Sequence, residues 1–128
     1  MDSIGFYVWL LPVIFMIHEL EEIFLAEAWY IRSKEKIHAL WPKRIPFGMN
    51  RVEHYPSAAI GFGIFIEYLE FILICVLCVV FNNYLAWFGL FISFLFHMFT
   101  PHLADVIKLK AYEPGIISSA VLLIPSIW

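Results

Sequence analysis

Hydrophobic residues run along this chain in four long stretches, and ionisable residues break into them at a few similar depths. The stretches are Ile4 to Ile31, Ser57 to Phe81, Leu85 to about His102, and Ile116 to Trp128, the last led by Pro114 so that it occupies 114–128. About 20 apolar residues cross a bilayer as a helix. The fourth stretch is short, and it needs the preceding Tyr112-Glu113-Pro114-Gly115 turn to lie near the interface. The pattern predicts an all-α integral membrane bundle of four transmembrane helices in one domain, 1–128, with a short interfacial connector between helices one and two.

The connector, Arg32 to Pro56, is basic and dotted with aromatics, and carries Pro42, Pro46 and Pro56. Its Leu40-Trp41 and Ile45-Pro46-Phe47 read as interfacial, and part of it as a short surface helix. Pro12 is a candidate kink, which neighbouring helices tolerate in membranes. Gly61 and Gly63 are candidates for close helix contact. Asn82-Asn83 is a turn signal, and Pro114 suits a first helical turn.

Composition agrees. Hydrophobic residues make up 62% and charged residues 15%, against about 45–50% and 25% in soluble domains. The mean hydropathy is +0.83. No cleavable signal peptide is expected, since no basic residue opens the chain and the first apolar run continues into a charged motif. No nucleic-acid partner is expected.

The distribution of charge adds a topology. All 8 Lys and Arg residues fall in two segments. Arg32, Lys34, Lys36, Lys43, Arg44 and Arg51 lie between stretches one and two; Lys108 and Lys110 lie between three and four. In a four-span protein these loops share a side, which the positive-inside rule makes cytoplasmic. Both termini and the Asn82-Asn83-Tyr84 turn then face outward.

The first stretch contains His18-Glu19-Leu20-Glu21-Glu22. A charged group at the centre of a membrane helix costs about 2.5–3.5 kcal/mol on insertion scales, so such groups face an interior and have partners or a task. Residues at i, i+3 and i+4 share a helix face, which groups His18 with Glu21 and Glu22 and leaves Glu19 off that face. Glu67 and Glu70 form a second such pair, and His97 aligns with Ser93 and Thr100. His102 falls off the His97 face unless Pro101 re-aims it.

Depth gives an independent check. At about 1.5 Å per residue and a core about 30 Å thick, His18 lies roughly 10 Å from the cytoplasmic boundary. On the same count Glu67 lies at roughly 15 Å, Glu70 at roughly 20 Å and His97 at roughly 12 Å. Three helices thus place polar groups in one layer of the inner half. Imidazoles with several carboxylates are the donor set of a bundle metal site. His18, Glu22 and His97 are the expected ligands, and Glu67 and Glu70 are bridging ligands or the general base. Imidazole plus carboxylate suits a divalent metal such as zinc or iron. Glu21 and Tyr112 are further candidates for the chemistry, Tyr112 by donating to a ligand at the cytoplasmic rim; Asn50, Arg51 and Ser57 are weaker ones. His102 and Asp105 read as solvated or lipid-facing, and His38 and His54 as outside the site. Cys75 and Cys78, in mid-helix, read as small core residues.

His18-Glu19-Leu20-Glu21-Glu22, the later His97, and Tyr112-Glu113-Pro114-Gly115 before the last stretch resemble the HXXEE-motif family of small membrane proteins. The resemblance covers nearly the whole chain, with His18, Glu21 and Glu22 as the defining residues. Ser93 stands where that family often has Asn, four residues before the third-span His. The resemblance suggests an enzyme without supplying a reaction.

The leading expectation is a membrane-embedded metal-dependent enzyme, a hydrolase or oxidoreductase, acting on a lipid-soluble or amphipathic substrate. One alternative is metal-free His/Glu acid–base catalysis, of isomerase or epoxide-opening type. Another is a small transporter or metal-binding membrane subunit, against which stands the lack of ionisable side chains in the outer half of the spans. The bilayer is an expected partner, and a homodimer is possible.

Overall fold

The computed structural model describes residues 3–127. These residues are all helical or connecting, in five helices: α1 Ser3–Leu40, α2 Phe47–His54, α3 Ser57–Phe81, α4 Leu85–Leu109 and α5 Ile116–Ile127. Helices α1, α3 and α4 are long and apolar enough to cross a membrane. Helix α5, with 12 residues, spans about 18 Å and falls short of that length. Trp128, the expected end of the fourth stretch, lies outside the described residues.

Helix α1 continues nine residues beyond the predicted Ile31, to Leu40. Helix α2 folds back against it and realises the surface helix expected within the connector. Helix α1 is the hub, packing against each of the other four.

Two apolar cores are strung along α1. The first joins Leu11 and Phe15 to Ile60, Ile64 and Phe71 of α3 and to Phe94 and Met98 of α4. Phe15 is its centre: its ring stacks on Phe71 at 4.2 Å between centroids and meets Phe94 edge-on at 5.6 Å. The second core joins Tyr30 and Ile37 to Met49 of α2 and Leu109 at the end of α4. Lys108 caps it, its Nζ 4.4 Å from the Trp41 ring centroid. The charged motif lies between the two cores, with Phe15 on one side and Tyr30 on the other.

Pro12 does not interrupt α1. Having no N–H, it leaves the carbonyl four residues earlier without its helical donor. That carbonyl, of Val8, instead accepts the Trp87 Nε1–H at 3.1 Å and the Cys75 thiol at 3.4 Å. A proline thus ties α1 to both α3 and α4. Cys75 and Cys78 are buried free thiols, as expected of core residues. Gly61 and Gly63 are not close-contact sites: a Cβ built at either meets no atom within 4 Å. The α3–α4 turn closes on Asn82 in the left-handed region, φ 50°, which Asn tolerates better than most residues.

The outward faces remain apolar. Phe24, Phe81 and Leu85 are each more than 70% exposed, which suits a lipid surround. Phe15→Ala should therefore lower unfolding free energy in detergent by about 3–5 kcal/mol, as for other buried Phe truncations. Phe24→Ala should change it by less than about 0.5 kcal/mol. Equilibrium unfolding followed by circular dichroism would compare the two.

Candidate metal centre

Four side chains converge in the layer between the cores. His18 and Glu22, one helical turn apart on α1, meet His97 and His102 of α4; each offers a ligand atom, and these atoms lie within 4.8 Å of one another. The imidazole centroids are 4.9 Å apart for His18 and His102, and 5.4 Å apart for His18 and His97 and for His97 and His102. Residues five apart on an ideal helix point about 140° from each other. Pro101, inside α4, lies between these two histidines, and both imidazoles turn toward α1.

Glu22 is the shared vertex. Its Oε1 stands 3.0 Å from His102 Nε2 and 3.6 Å from His18 Nε2. Its Oε2 faces the Arg51 guanidinium of α2 at 3.7 Å. Ligands held about 2.0–2.1 Å from one ion stand about 2.9–3.4 Å from each other, so the Glu22 edges fall at or just above that spacing. His18 is fully buried. Its Nε2 and both nitrogens of His102 have no hydrogen-bond partner with acceptable alignment. Buried nitrogens of this kind cost free energy unless something takes up their lone pairs or protons. The donor chemistry and spacing therefore fit a divalent cation.

The segment after α4 braces this layer. Tyr112 donates its hydroxyl to Glu21 Oε1 at 2.7 Å, and its carbonyl accepts the Trp29 Nε1–H at 2.6 Å. Ser118, in the first turn of α5, donates its backbone N–H to Glu21 Oε2 at 2.8 Å. Its Oγ lies 2.6 Å from the same oxygen and 3.0 Å from His18 Nδ1. Ser119 Oγ lies 3.4 Å from that nitrogen. A carboxylate at the start of a helix also meets the positive end of its dipole. Gly115, with φ +98°, brings the backbone against the cluster, where a Cβ would stand 2.5 Å from His102 Cε1 and 2.9 Å from Glu22 Oε1. Only glycine fits, on both conformational and steric grounds.

A cavity of about 370 Å³ opens beside Glu22, His97 and His102; His18, fully buried, does not line it. Arg51, Glu67 and Asp105 contribute polar wall, and Trp29, Met49 and Pro101 apolar wall. Glu113, 8% exposed, also lines it; its Oε2 is 3.8 Å from His102 Nδ1 and has no hydrogen-bond partner.

The expected site residues separate into groups. His18, Glu22 and His97 come together as ligand candidates. Glu67 and Glu70 are both exposed and neither joins the cluster, against the expectation of bridging ligands; Glu67 reaches the cavity, and Glu70, one turn further out, does not. Glu21 and Tyr112 bond each other, and neither lines the cavity. Ser57 bonds Glu27 instead of the site. His38 and His54 stay outside: His38 bonds Glu53 at 3.1 Å, and His54 the Asn50 carbonyl at 2.8 Å. Burial would raise the Glu53 carboxyl, but Tyr30, His38 and the Lys34 charge outweigh it and hold it below the ordinary carboxylate value.

Three further expectations are corrected. His102 is buried in the cluster, not solvated or lipid-facing, because α4 runs on past it to Leu109. Glu19 is 4% exposed, with Oε1 3.8 Å from His97 Nε2; it lies off the face of His18, Glu21 and Glu22 as expected, yet it is engaged, because α4 packs on that side of α1 as well. Asp105, set aside with His102, faces the cavity. Ser118, Ser119 and Glu113 join the surroundings of the cluster beyond the expected residues. A serine pair in an otherwise apolar helix, and an acid inside the Pro-Gly turn, were the signals available for them.

The molecule is thus a helical bundle of membrane-spanning character with a His/Glu cluster in which His18 and His102 are buried, Glu22 is half-buried and His97 is exposed. The family model described as protein of unknown function with HXXEE motif matches residues 9–128, and the chain belongs to that family. No curated protein and no solved structure matches it.

Gly115→Ala should lower the melting temperature in detergent by several degrees, since a left-handed, crowded position costs about 1–3 kcal/mol to fill. Gly63→Ala, with open space around it, should leave the temperature unchanged or raise it slightly. Equal effects of the two substitutions would contradict this packing.

Proposed function

We propose that this chain is a membrane-embedded metalloenzyme acting on a lipid-soluble or amphipathic substrate. The observation that carries the reading is the meeting of His18, Glu22, His97 and His102 within ligand distance, with the buried His18 Nε2 lacking a hydrogen-bond partner, in a layer where bare polar groups are costly. Three imidazoles and a carboxylate suit zinc or iron. Such an ion, when bound, supplies Lewis-acid or redox chemistry, of a hydrolase or an oxidoreductase.

The chain's own groups then divide the remaining work. The cavity beside the cluster falls in the size range of small-molecule sites. Trp29, Met49 and Pro101 take the apolar part of a substrate. Arg51 and Glu67 face the same space and orient its polar part, with Glu67 placed to accept a proton. Glu19, behind His97, is a further acid at this wall.

We read the topology as four crossings, with the basic loops cytoplasmic and both ends of the chain outside. The short α5 fits this. Its first turn bonds His18, which on this reading lies roughly 10 Å inside the cytoplasmic boundary, and Glu21, which lies closer to it. Its later residue Leu122 packs against the Leu11–Phe15 core, so it runs antiparallel to α1. About 20 Å of hydrocarbon remains to be covered, and 12 residues cover about 18 Å.

Elemental analysis of detergent-purified protein tests the central claim. Wild type should carry close to one equivalent of zinc or iron per chain. Glu22→Gln and His102→Ala should each lose most of it, and Glu70→Gln should retain it. Wild type that is folded and metal-free, yet active on a lipid-soluble substrate, would overturn the reading in favour of acid–base chemistry.

A further inference from the structure

We propose that Glu21 and Ser118 are a positioning pair that fixes His18 as the Nδ1–H tautomer and turns its Nε2 lone pair into the cluster. The functional weight of this rests on the metal-centre reading; the tautomer rests on hydrogen-bond geometry alone.

Ser118 has one hydroxyl proton and three neighbours for its Oγ. These are Glu21 Oε2 at 2.6 Å, His18 Nδ1 at 3.0 Å and the Gly115 carbonyl at 3.2 Å. An ionised carboxylate and a carbonyl can only accept. Glu21 is surrounded by donors, taking the Tyr112 hydroxyl on Oε1 and the Ser118 N–H on Oε2. The short Glu21 contact therefore takes the serine proton. Ser118 Oγ can then serve His18 only as an acceptor, so the proton between them belongs to Nδ1. Ser119 Oγ, 3.4 Å from the same nitrogen, can also accept on that side.

The opposite tautomer fails on the same distances. With Nε2–H, the bare Nδ1 needs a proton from a serine: if Ser118 gives it, Glu21 Oε2 is left 2.6 Å from an oxygen with no hydrogen between them, and if Ser119 gives it across 3.4 Å, the bare Nδ1 faces a lone pair of Ser118 Oγ at 3.0 Å. In the Nδ1–H form, Nε2 carries the lone pair. That atom is buried, has no hydrogen-bond partner and stands 3.6 Å from Glu22 Oε1. A ligating histidine is commonly held this way, its other ring nitrogen donating to an acceptor that fixes ring and tautomer. Here the acceptor is a serine that is itself oriented by a carboxylate. The two glutamates ending the motif thus have separate roles: Glu22 offers an oxygen to the cluster, and Glu21 works through Ser118 without touching it.

The test uses the full chain in detergent micelles, ¹⁵N-labelled at histidine and freed of metal. Long-range ¹H–¹⁵N spectra report which ring nitrogen carries the proton, and His18→Gln identifies the His18 signals. Wild type should show a protonated Nδ1. Ser118→Ala should show a mixture of tautomers and bind Co(II) roughly 10–100-fold more weakly, the usual loss for an outer-shell partner. Ser118→Thr, which keeps the hydroxyl, should restore both readouts. A protonated Nε2 in wild type would overturn the proposal, as would Ser118→Ala with tautomer and affinity unchanged. If Ser118→Ala does not fold, the wild-type tautomer still decides. Wild type with Nδ1–H that takes up no Co(II) would uphold the tautomer and overturn the metal-centre reading.

Discussion

The arrangement of this molecule depends on the carboxylate of Glu21, which is half-buried against α5 and is satisfied by that helix and the turn before it. Three donors reach it: the Tyr112 hydroxyl, the Ser118 N–H and the Ser118 hydroxyl. An unbonded carboxylate there would be strongly disfavoured, so these bonds hold α5 firmly in place. Once α5 is docked, Gly115 is pressed against His102 and Glu22, and Ser118 stands beside His18. The geometry of the cluster follows from how one acid outside it is satisfied.

The placement between two apolar cores is the second condition. The Phe15 core fixes α3 and α4 against α1, and the Tyr30 core fixes α2 and the end of α4. Neither core could hold the polar layer by itself. The upper one sets how close α4 comes to α1 and so the His97 and His18 rings. The lower one brings Arg51 of α2 over Glu22 and draws Leu109 in, which carries the turn after α4 back toward α1. Packed side chains tolerate little displacement, so a cluster braced from both sides keeps its spacing even though its members would repel or desolvate one another if left free.

Much of this was legible in the sequence. Helix positions and the folded connector follow from hydropathy, and the shared level of His18 and His97 from a rise of about 1.5 Å per residue. His18 and Glu22 follow from i, i+4 spacing. Face arguments then failed in a specific way. They assume one buried stripe per helix, which holds for a helix at the rim of a bundle. Helix α1 touches four others, so Glu19 and Glu21 are engaged as fully as Glu22, in different directions. For Glu67 and Glu70 the opposite happened: a shared face did not mean a shared environment, because only Glu67 lies low enough to reach the cavity. His102 was hidden because an ideal helix sets it about 140° from His97, yet the two imidazoles still reach one cluster.

The spacing of the motif has a geometric rationale in these contacts. On a helix turning about 100° per residue, position i+3 lies about 60° to one side of residue i, and i+4 about 40° to the other. From His18, Glu21 therefore falls toward α5 and Glu22 toward α4, while Glu19, about 100° round, reaches further toward His97. An imidazole has two nitrogens on different edges, and a site that uses one as a ligand must satisfy the other elsewhere. Flanking acids at i+3 and i+4 address both edges from a single turn of helix. H-E-x-x-H puts a second ligand where Glu22 stands but offers nothing at i+3 to organise the first histidine. In this chain the additional acid at position 21 reaches His18 Nδ1 through a serine on another helix, so the motif and the docking of α5 form one interaction.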